Sequence, residues 1–328
     1  MNHNRTLFIT TKNVDYLRNV QEIRQLKEKK AEVTVIGSSS RKYLNRLFHV
    51  YRKLLTVKAA DYDEVFIGFA PQLVLPFWKR KFRKNTVVID FFISMYDTLV
   101  NDRKVFSEKS VPAKLLRWID RKTVEYADRI IVDTNADGKY FEEEFGAEKE
   151  KMTTLYLEAD KTIYYPREVE KPEHLKDKFV VLYFGSVLPL QGVDVVLKSS
   201  RLLENEKRFH FYMIGEVGNK YQKPQSQNIE YISWLSQEEL ATYIAMADVC
   251  LAGHFNKTID KAHRTIPGKA YIYRAMEKKI ILGDGRANHE LFEESDQVYF
   301  VPMGDAQALA DCIMRIADEK YESEEEQK

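Results

Sequence analysis

The sequence predicts an α/β protein made of two doubly wound parallel sheets, each with helices on both faces. Three observations predict it. Short apolar runs alternate with amphipathic stretches from end to end, the pattern of strands feeding crossover helices. The rhythm breaks over 158–178, where Pro166 and Pro172 sit in a charge-rich stretch. The chain is also too long, at 328 residues, for one hydrophobic core, which stops growing near ~250–300 residues.

In the first half, strands are expected at Leu7–Thr10, Val33–Gly37, Glu64–Gly68, Thr86–Asp90, Arg129–Asp133 and Thr153–Leu157. Helices are expected at 14–30, 41–58, near 72–83, 112–127 and 135–145, with Thr134 or Asn135 as an N-cap before the last. In the second half, Val180–Phe184 is a strand, 193–204 a helix, Phe209–Gly215 and Ile229–Ile232 strands. Ser236-Gln-Glu-Glu239 is a capping box opening a helix. Val249–Leu251, a turn and helix from Arg264, a strand at Ile280–Leu282 and a helix at 305–318 complete the alternation. The division is therefore an N-terminal domain at 1–157, a linker at 158–178, a C-terminal domain at 179–318 and an acidic, disordered tail at 319–328. Two such domains imply a cleft faced by strand C-termini.

Composition narrows the class. Hydrophobic residues at 44 % and charged residues at 31 % describe a globular protein. Cys250 and Cys312 stand far apart among apolar residues, which argues against a disulfide or zinc scaffold and for a reducing compartment. No apolar run reaches the ~20 residues that span a bilayer, and Met1 to Arg5 lead straight into a strand without a signal-peptide pattern. A cytoplasmic location is expected, at most peripheral on the inner face of the cell membrane.

Net charge is +1, but the charges are segregated. Residues 41–58 and 79–84 hold cations and no acid. Leu44, Leu47, Phe48, Tyr51, Leu54 and Leu55 fall on one helical face of the first stretch. Such a helix is either core with a solvated back or a surface for anionic lipid. No recognition motif accompanies the charge, so a nucleic-acid partner is not expected.

Two segments suit phosphate binding. Arg264-Thr-Ile-Pro-Gly-Lys269 leads into a helix, with Pro267 fit for its first position. The strand that follows closes with Gly283-Asp-Gly285. Strand C-termini and helix N-termini present free backbone N–H groups to anions, and Arg264 and Lys269, with Lys261 close by, add full charges. The second segment, Tyr183-Phe-Gly-Ser-Val-Leu-Pro-Leu-Gln-Gly-Val193, runs from strand to helix through Gly185 and Gly192, where backbone can approach a pyrophosphate. An ordinary βα turn would look similar.

The run Tyr183–Leu203 resembles the start of the donor domain of GT-B glycosyltransferases, in particular glycosyltransferase family 4. Tyr231-Ile-Ser-Trp-Leu-Ser-Gln-Glu-Glu-Leu240, Ala247-Asp-Val-Cys-Leu251 and Gly283-Asp-Gly-Arg-Ala-Asn-His-Glu290 agree in order and spacing. Glu158-Ala-Asp-Lys-Thr-Ile-Tyr-Tyr-Pro166 resembles the crossover between domains. The resemblance implies two Rossmann-like domains, with Gly185, Ser186, Gln191 and Gly192 against a donor diphosphate. Backbone near Trp234 would hold the base, and Arg264, Lys269 and Glu290 would surround the sugar phosphate or ribose. It also implies metal-independent transfer with retained anomeric configuration, from a nucleotide sugar to a glycan or lipid-linked acceptor.

Two departures stand out. The glycine loop lacks the basic residues many members carry, and the family's Glu-x7-Glu pair falls on Arg264 and Ile272. Either the charge has moved to Lys261, Arg264 and Lys269, or activity has been lost. Arg264 and Lys269 are the expected catalytic cations for the leaving diphosphate, while Asp97 would orient the acceptor or assist proton transfer. Asp90, Asp97 and Arg103, in the loop after a first-half strand, are the expected acceptor-side residues. A nucleotide-sugar epimerase of the same architecture and a non-catalytic nucleotide-sugar-binding protein are the alternatives.

Overall fold

The structure is a computed structural model of the chain; it describes residues 5–29, 31–218 and 221–326. Residues 1–4 of the expected signal-free N-terminus and 327–328 of the expected tail lie outside that range. The chain divides into two compact units, Met1–Glu158 and Ala159–Lys328.

The first unit runs β1 (Arg5–Ile9), α1 (Leu17–Glu28), β2 (Glu32–Ile36), α2 (Tyr43–Thr56), β3 (Glu64–Ile67), α3 (Leu75–Trp78), β4 (Thr86–Asp90), α4 (Val111–Glu125), β5 (Arg129–Val132), α5 (Asn135–Phe145) and β6 (Met152–Thr154). Its six strands form one parallel sheet in the order β2-β1-β3-β4-β5-β6. The strands are apolar runs such as Val65-Phe-Ile67, buried on both faces as parallel strands require. Val50 and Leu54 of α2, Leu75 of α3, Ala113 of α4 and Phe141 of α5 share one core with Ile9 and Ile67. Ile23 and Leu26 of α1 pack on the other face against Phe8, Phe66 and Val88. The helix expected over 72–83 is shorter, because Pro71 starts a separate 3₁₀ turn and Pro76 sits at the start of α3.

The second unit contains β7 (Phe179–Phe184), α6 (Val193–Leu202), β8 (Phe209–Ile214), β9 (Ile229–Ile232), α7 (Gln237–Met246), β10 (Val249–Gly253), α8 (Asp260–Arg264), α9 (Gly268–Ala275), β11 (Lys279–Gly283), β12 (Val298–Val301) and α10 (Ala306–Glu326). All its strands are parallel, in the order β12-β11-β10-β7-β8-β9. The chain winds outward from β7 to β9, then restarts on the other side of β7 with β10. The switch point therefore lies between β7 and β10, where open α/β sheets bind ligands beyond the strand C-termini. The expected capping box is present: Ser236 N–H donates to Glu239 Oε2 at 2.8 Å and Glu239 N–H to Ser236 Oγ at 3.2 Å.

Two elements, α8 and β12, are absent from the sequence-based expectation, and α9 begins at Gly268 with Pro267 as its N-cap. The disordered tail expected from residue 319 is also corrected, since α10 continues to Glu326. Lys320 Nζ pairs with Asp248 Oδ1 at 3.0 Å and Tyr321 packs on the second core. Glutamate and lysine are good helix formers, so the charge run extends the helix.

Candidate functional site

The second unit's switch point gathers most of the residues expected to meet a diphosphate. β7 ends at Gly185, whose open α-carbon faces Lys269: a β-carbon there would lie 3.4 Å from Lys269 Cε and 3.6 Å from its Nζ. Lys269 arrives buried in the first turn of α9, followed by the buried Ala270 and Tyr271. Its ammonium donates to Gln191 Oε1 at 2.5 Å and stands 4.2 Å from the centroid of the Tyr183 ring. Burial brings Lys269 down to about 7. A desolvated ammonium under a glycine backbone would be stabilised by an incoming anion, which favours its charged form.

The loop geometry depends on bare backbone. Gly192, the N-cap of α6, has φ +66°, and a β-carbon there would fall 2.6 Å from the Phe255 carbonyl carbon. Phe255 N–H donates to Gln191 O at 3.1 Å and Asn256 Nδ2 to Pro189 O at 3.0 Å, tying this loop to the one after β10. Gly215, at the end of β8, has φ +127° and would set a β-carbon 2.3 Å from Gly185 O. Gly215→Ala should therefore lower thermal stability by more than the ~1–3 kcal/mol of backbone strain alone. It should also weaken binding of a nucleoside diphosphate, because Gly185 must move; calorimetry and thermal denaturation of the variant check both.

His254 follows β10 and was not singled out from sequence. Its burial and the nearby positive charges of Lys269 and Lys261 push it down to about 3, so the imidazole is neutral at physiological pH. A glycine-histidine step ending a buried strand was the available signal.

Arg264 is placed differently from expectation. Its side chain is 1 % exposed, and its Nε donates to Asp260 Oδ2 at 2.6 Å one helical turn back. Asp260 is also held by Arg286 at 3.0 Å. Arg264 thus belongs to the framework that fixes α8, whose Ala262, with Ile259 at the N-cap, packs against Leu190 of the glycine loop. Among the described cations expected at the diphosphate, Lys269 is the one the geometry lays against Gly185. Lys261, on α8, is half-buried; Ser186 is exposed beside Gly185; Glu290 is half-buried in a 3₁₀ turn after β11. Trp234 follows the edge strand β9, separated from β7 by β8, and is 75 % exposed.

In the first unit, the expected acceptor carboxylates are both buried and bonded within their own unit. Asp90 is buried and accepts both Arg18 Nε at 2.7 Å and Arg18 Nη2 at 2.8 Å. Arg18 Nη1 also reaches Asp133 Oδ1 at 3.1 Å and Leu155 O at 3.1 Å. Asp97 is buried in a π-helical segment, Asp97–Asp102, and accepts from Asn101 Nδ2 at 3.2 Å. Arg103, just beyond that segment, is exposed. The first unit's own switch point, between β1 and β3, carries three half-buried aromatic rings. Tyr16 lies 5.9 Å from Phe69 and 6.5 Å from Phe92, and Phe69 lies 5.7 Å from Phe92. Lys12 Nζ stands 5.1 Å from the Phe69 ring.

Similarity to known proteins extends over both units. Residues 178–319 match the family model described as Glycosyl transferases group 1. A protein named probable glycosyltransferase WbjE, from Pseudomonas aeruginosa, is 27 % identical over 288 residues, covering 80 % of this chain and 68 % of that protein. An uncharacterized 41.2 kDa protein in the cps region of Klebsiella pneumoniae is 22 % identical, over 63 % of this chain and 58 % of its own length, so the chain spans under two thirds of that relative. Among solved structures, sucrose-phosphate synthase from Thermosynechococcus elongatus has a TM-score of 0.68 at 14 % identity, covering 96 % of this chain and 90 % of that one. Anabaena HepE in complex with UDP has a TM-score of 0.64 at 14 % identity, with 96 % and 90 % covered. A putative UDP-N-acetylglucosamine 2-epimerase from Listeria monocytogenes shares the fold at a TM-score of 0.53 and 11 % identity, with 97 % and 89 % covered. The fold is GT-B.

Proposed function

Because the chain carries a group 1 glycosyl transferase domain on a GT-B fold, we propose that it moves a sugar from a nucleotide-diphosphate sugar to a glycan or lipid-linked acceptor. The observation that carries this reading is Lys269, buried against Gly185 at the switch point and desolvated to about 7. Of the two readings of the missing loop cations, relocation is supported, with Lys269 as the relocated charge. HepE is described in complex with UDP and with UDP-glucose, which makes uridine diphosphate sugars the first donors to try.

In the proposed reaction, the acceptor hydroxyl oxygen bonds to the sugar's anomeric carbon as the bond to the diphosphate oxygen breaks. The electron pair leaves with the diphosphate, where Lys269 and the N-terminus of α6 stabilise it. The acceptor attacks from the face the diphosphate leaves, which retains the anomeric configuration, and its hydroxyl proton passes to the departing phosphate without a separate base or a metal. The Tyr16, Phe69 and Phe92 rings would stack against a sugar of the acceptor, and Lys12 beside them suits an acceptor phosphate.

The test is turnover of a panel of nucleotide sugars by the purified chain, with extracted glycolipid as acceptor. Release of nucleoside diphosphate that depends on acceptor is expected. Conversion of UDP-N-acetylglucosamine without acceptor would identify an epimerase, and tight binding without any turnover a binding protein. Affinity should also depend on pH. The bound diphosphate favours the ammonium form, while the free lysine titrates near 7. Binding of UDP-glucose then takes up a proton above pH 7, and its Kd should rise by up to about tenfold per pH unit. A flat profile between pH 7 and 9 (about two units,) would sink the assignment of Lys269.

A further inference from the structure

We propose that the outer face of α2, α3 and α4 docks the chain on an anionic lipid bilayer. The apolar arc of α2 is wider than the sheet covers. Val50 and Leu54 are buried in the core, whereas Leu44, Phe48 and Leu55 are 71–77 % exposed along one stripe. On α4, Val111, Leu115 and Trp118 repeat that spacing of three and four residues and are likewise exposed, as is Phe77 of α3. The three helices share one side of the sheet, since residues of each enter the same core. Tyr51 of α2 joins α3 directly, its ring 5.8 Å from Trp78 and its hydroxyl 2.6 Å from Leu73 O.

Charge identifies the occupant. Arg41, Lys42, Arg52 and Lys53 are exposed around the α2 stripe, and Lys79, Arg80, Arg83 and Lys84 are exposed after Phe77. No acid occurs from 41 to 60 or from 65 to 89. Arg46, counted among the basic residues from sequence, is not available: it is buried and donates to Ser40 O at 2.6 Å and Arg41 O at 3.1 Å. A second copy of the chain would set cations against cations, which disfavours self-pairing. On α2 and α3 the apolar residues are flanked by cations without acids, while Glu108 and Glu125 stand at the two ends of α4. The cationic side fits anionic headgroups over acyl chains.

This inference is independent of the donor chemistry, and its experiment reads partition only. The full chain is floated with phosphatidylcholine vesicles, with and without phosphatidylglycerol, at low and high salt. It should float with the anionic vesicles and be released by salt. Leu44→Ser/Phe48→Ser/Leu55→Ser and Arg52→Glu/Lys53→Glu should each lower partition at least about tenfold. Thermal denaturation shows that both variants remain folded. The proposal is overturned if the native chain stays unbound, or if both variants float like it. It is also overturned if the apolar variant's effect is instead to abolish a lipid-free dimer in sedimentation velocity.

Discussion

Arg18→Ala is expected to cost the first unit about 3–5 kcal/mol, the penalty for leaving a buried charge without its partner. Arg18 is 2 % exposed and its fork binds Asp90 twice. It also reaches Asp133, and its guanidinium lies 4.8 Å from the Phe92 ring centroid. Glu22, one turn along α1, is fully buried, and burial together with neighbouring Asp90 pushes it well above the ordinary carboxylate range. Without Arg18, Asp90 keeps no counterion, and the strand ends carrying Phe92, Asp133 and Leu155 lose their common anchor. Urea unfolding followed by tryptophan fluorescence reports it, since Trp78 and Trp118 belong to this unit. Asp90→Asn in the same background should recover part of the loss by removing the orphaned charge. Undiminished stability of Arg18→Ala would contradict the network's role.

Lys269→Met should move affinity and stability in opposite directions. Binding of UDP-glucose should weaken by about 10- to 100-fold, the scale of one lost charge-assisted hydrogen bond. The folded chain should become more stable at neutral pH, because a desolvated ammonium is replaced by an apolar chain of similar length. The sign follows from linkage. The folded lysine sits near 7 and the unfolded one near 10.5. The unfolded state therefore binds more protons across that window, and the native chain gains stability as pH rises through it. The methionine variant should lack that slope. Melting temperatures of both proteins across the window decide the matter, and parallel curves would refute a buried, depressed Lys269.

Much of this was legible in the sequence, and the gaps have physical causes. The alternation of apolar runs and amphipathic helices located both sheets, and turn chemistry singled out Gly185, Gly192 and Lys269, which the structure brings close to one another through Gln191. Burial of charge was not legible. Arg18, Asn19, Gln21 and Glu22 of α1 are buried beside Ile23 and Leu26, which pack on the sheet, while Val20 is exposed, so polarity along α1 does not mark its buried residues. The ion pair of Arg264 was hidden for a related reason: its i−4 partner, Asp260, belongs to a five-residue helix too short to show periodicity. Asp90 and Asp97 ended or followed a strand as candidate acceptor residues do, yet each is consumed by bonds to its own unit. The aromatic trio was missed because Tyr16, Phe69 and Phe92 come from three separate loops that only the parallel strand order brings together.

Each unit is one uninterrupted stretch of chain, with the boundary at Glu158. Parallel sheets form slowly, since every strand pair must wait for its crossover. During synthesis the first unit is complete before any strand of the second exists, and translation of the remainder takes on the order of ten seconds. Its sheet, including the Arg18 clamp, has that interval to assemble alone on the ribosome. A nascent chain unable to close the clamp would present an open, unpaired sheet to chaperones and proteases before its second half had been made.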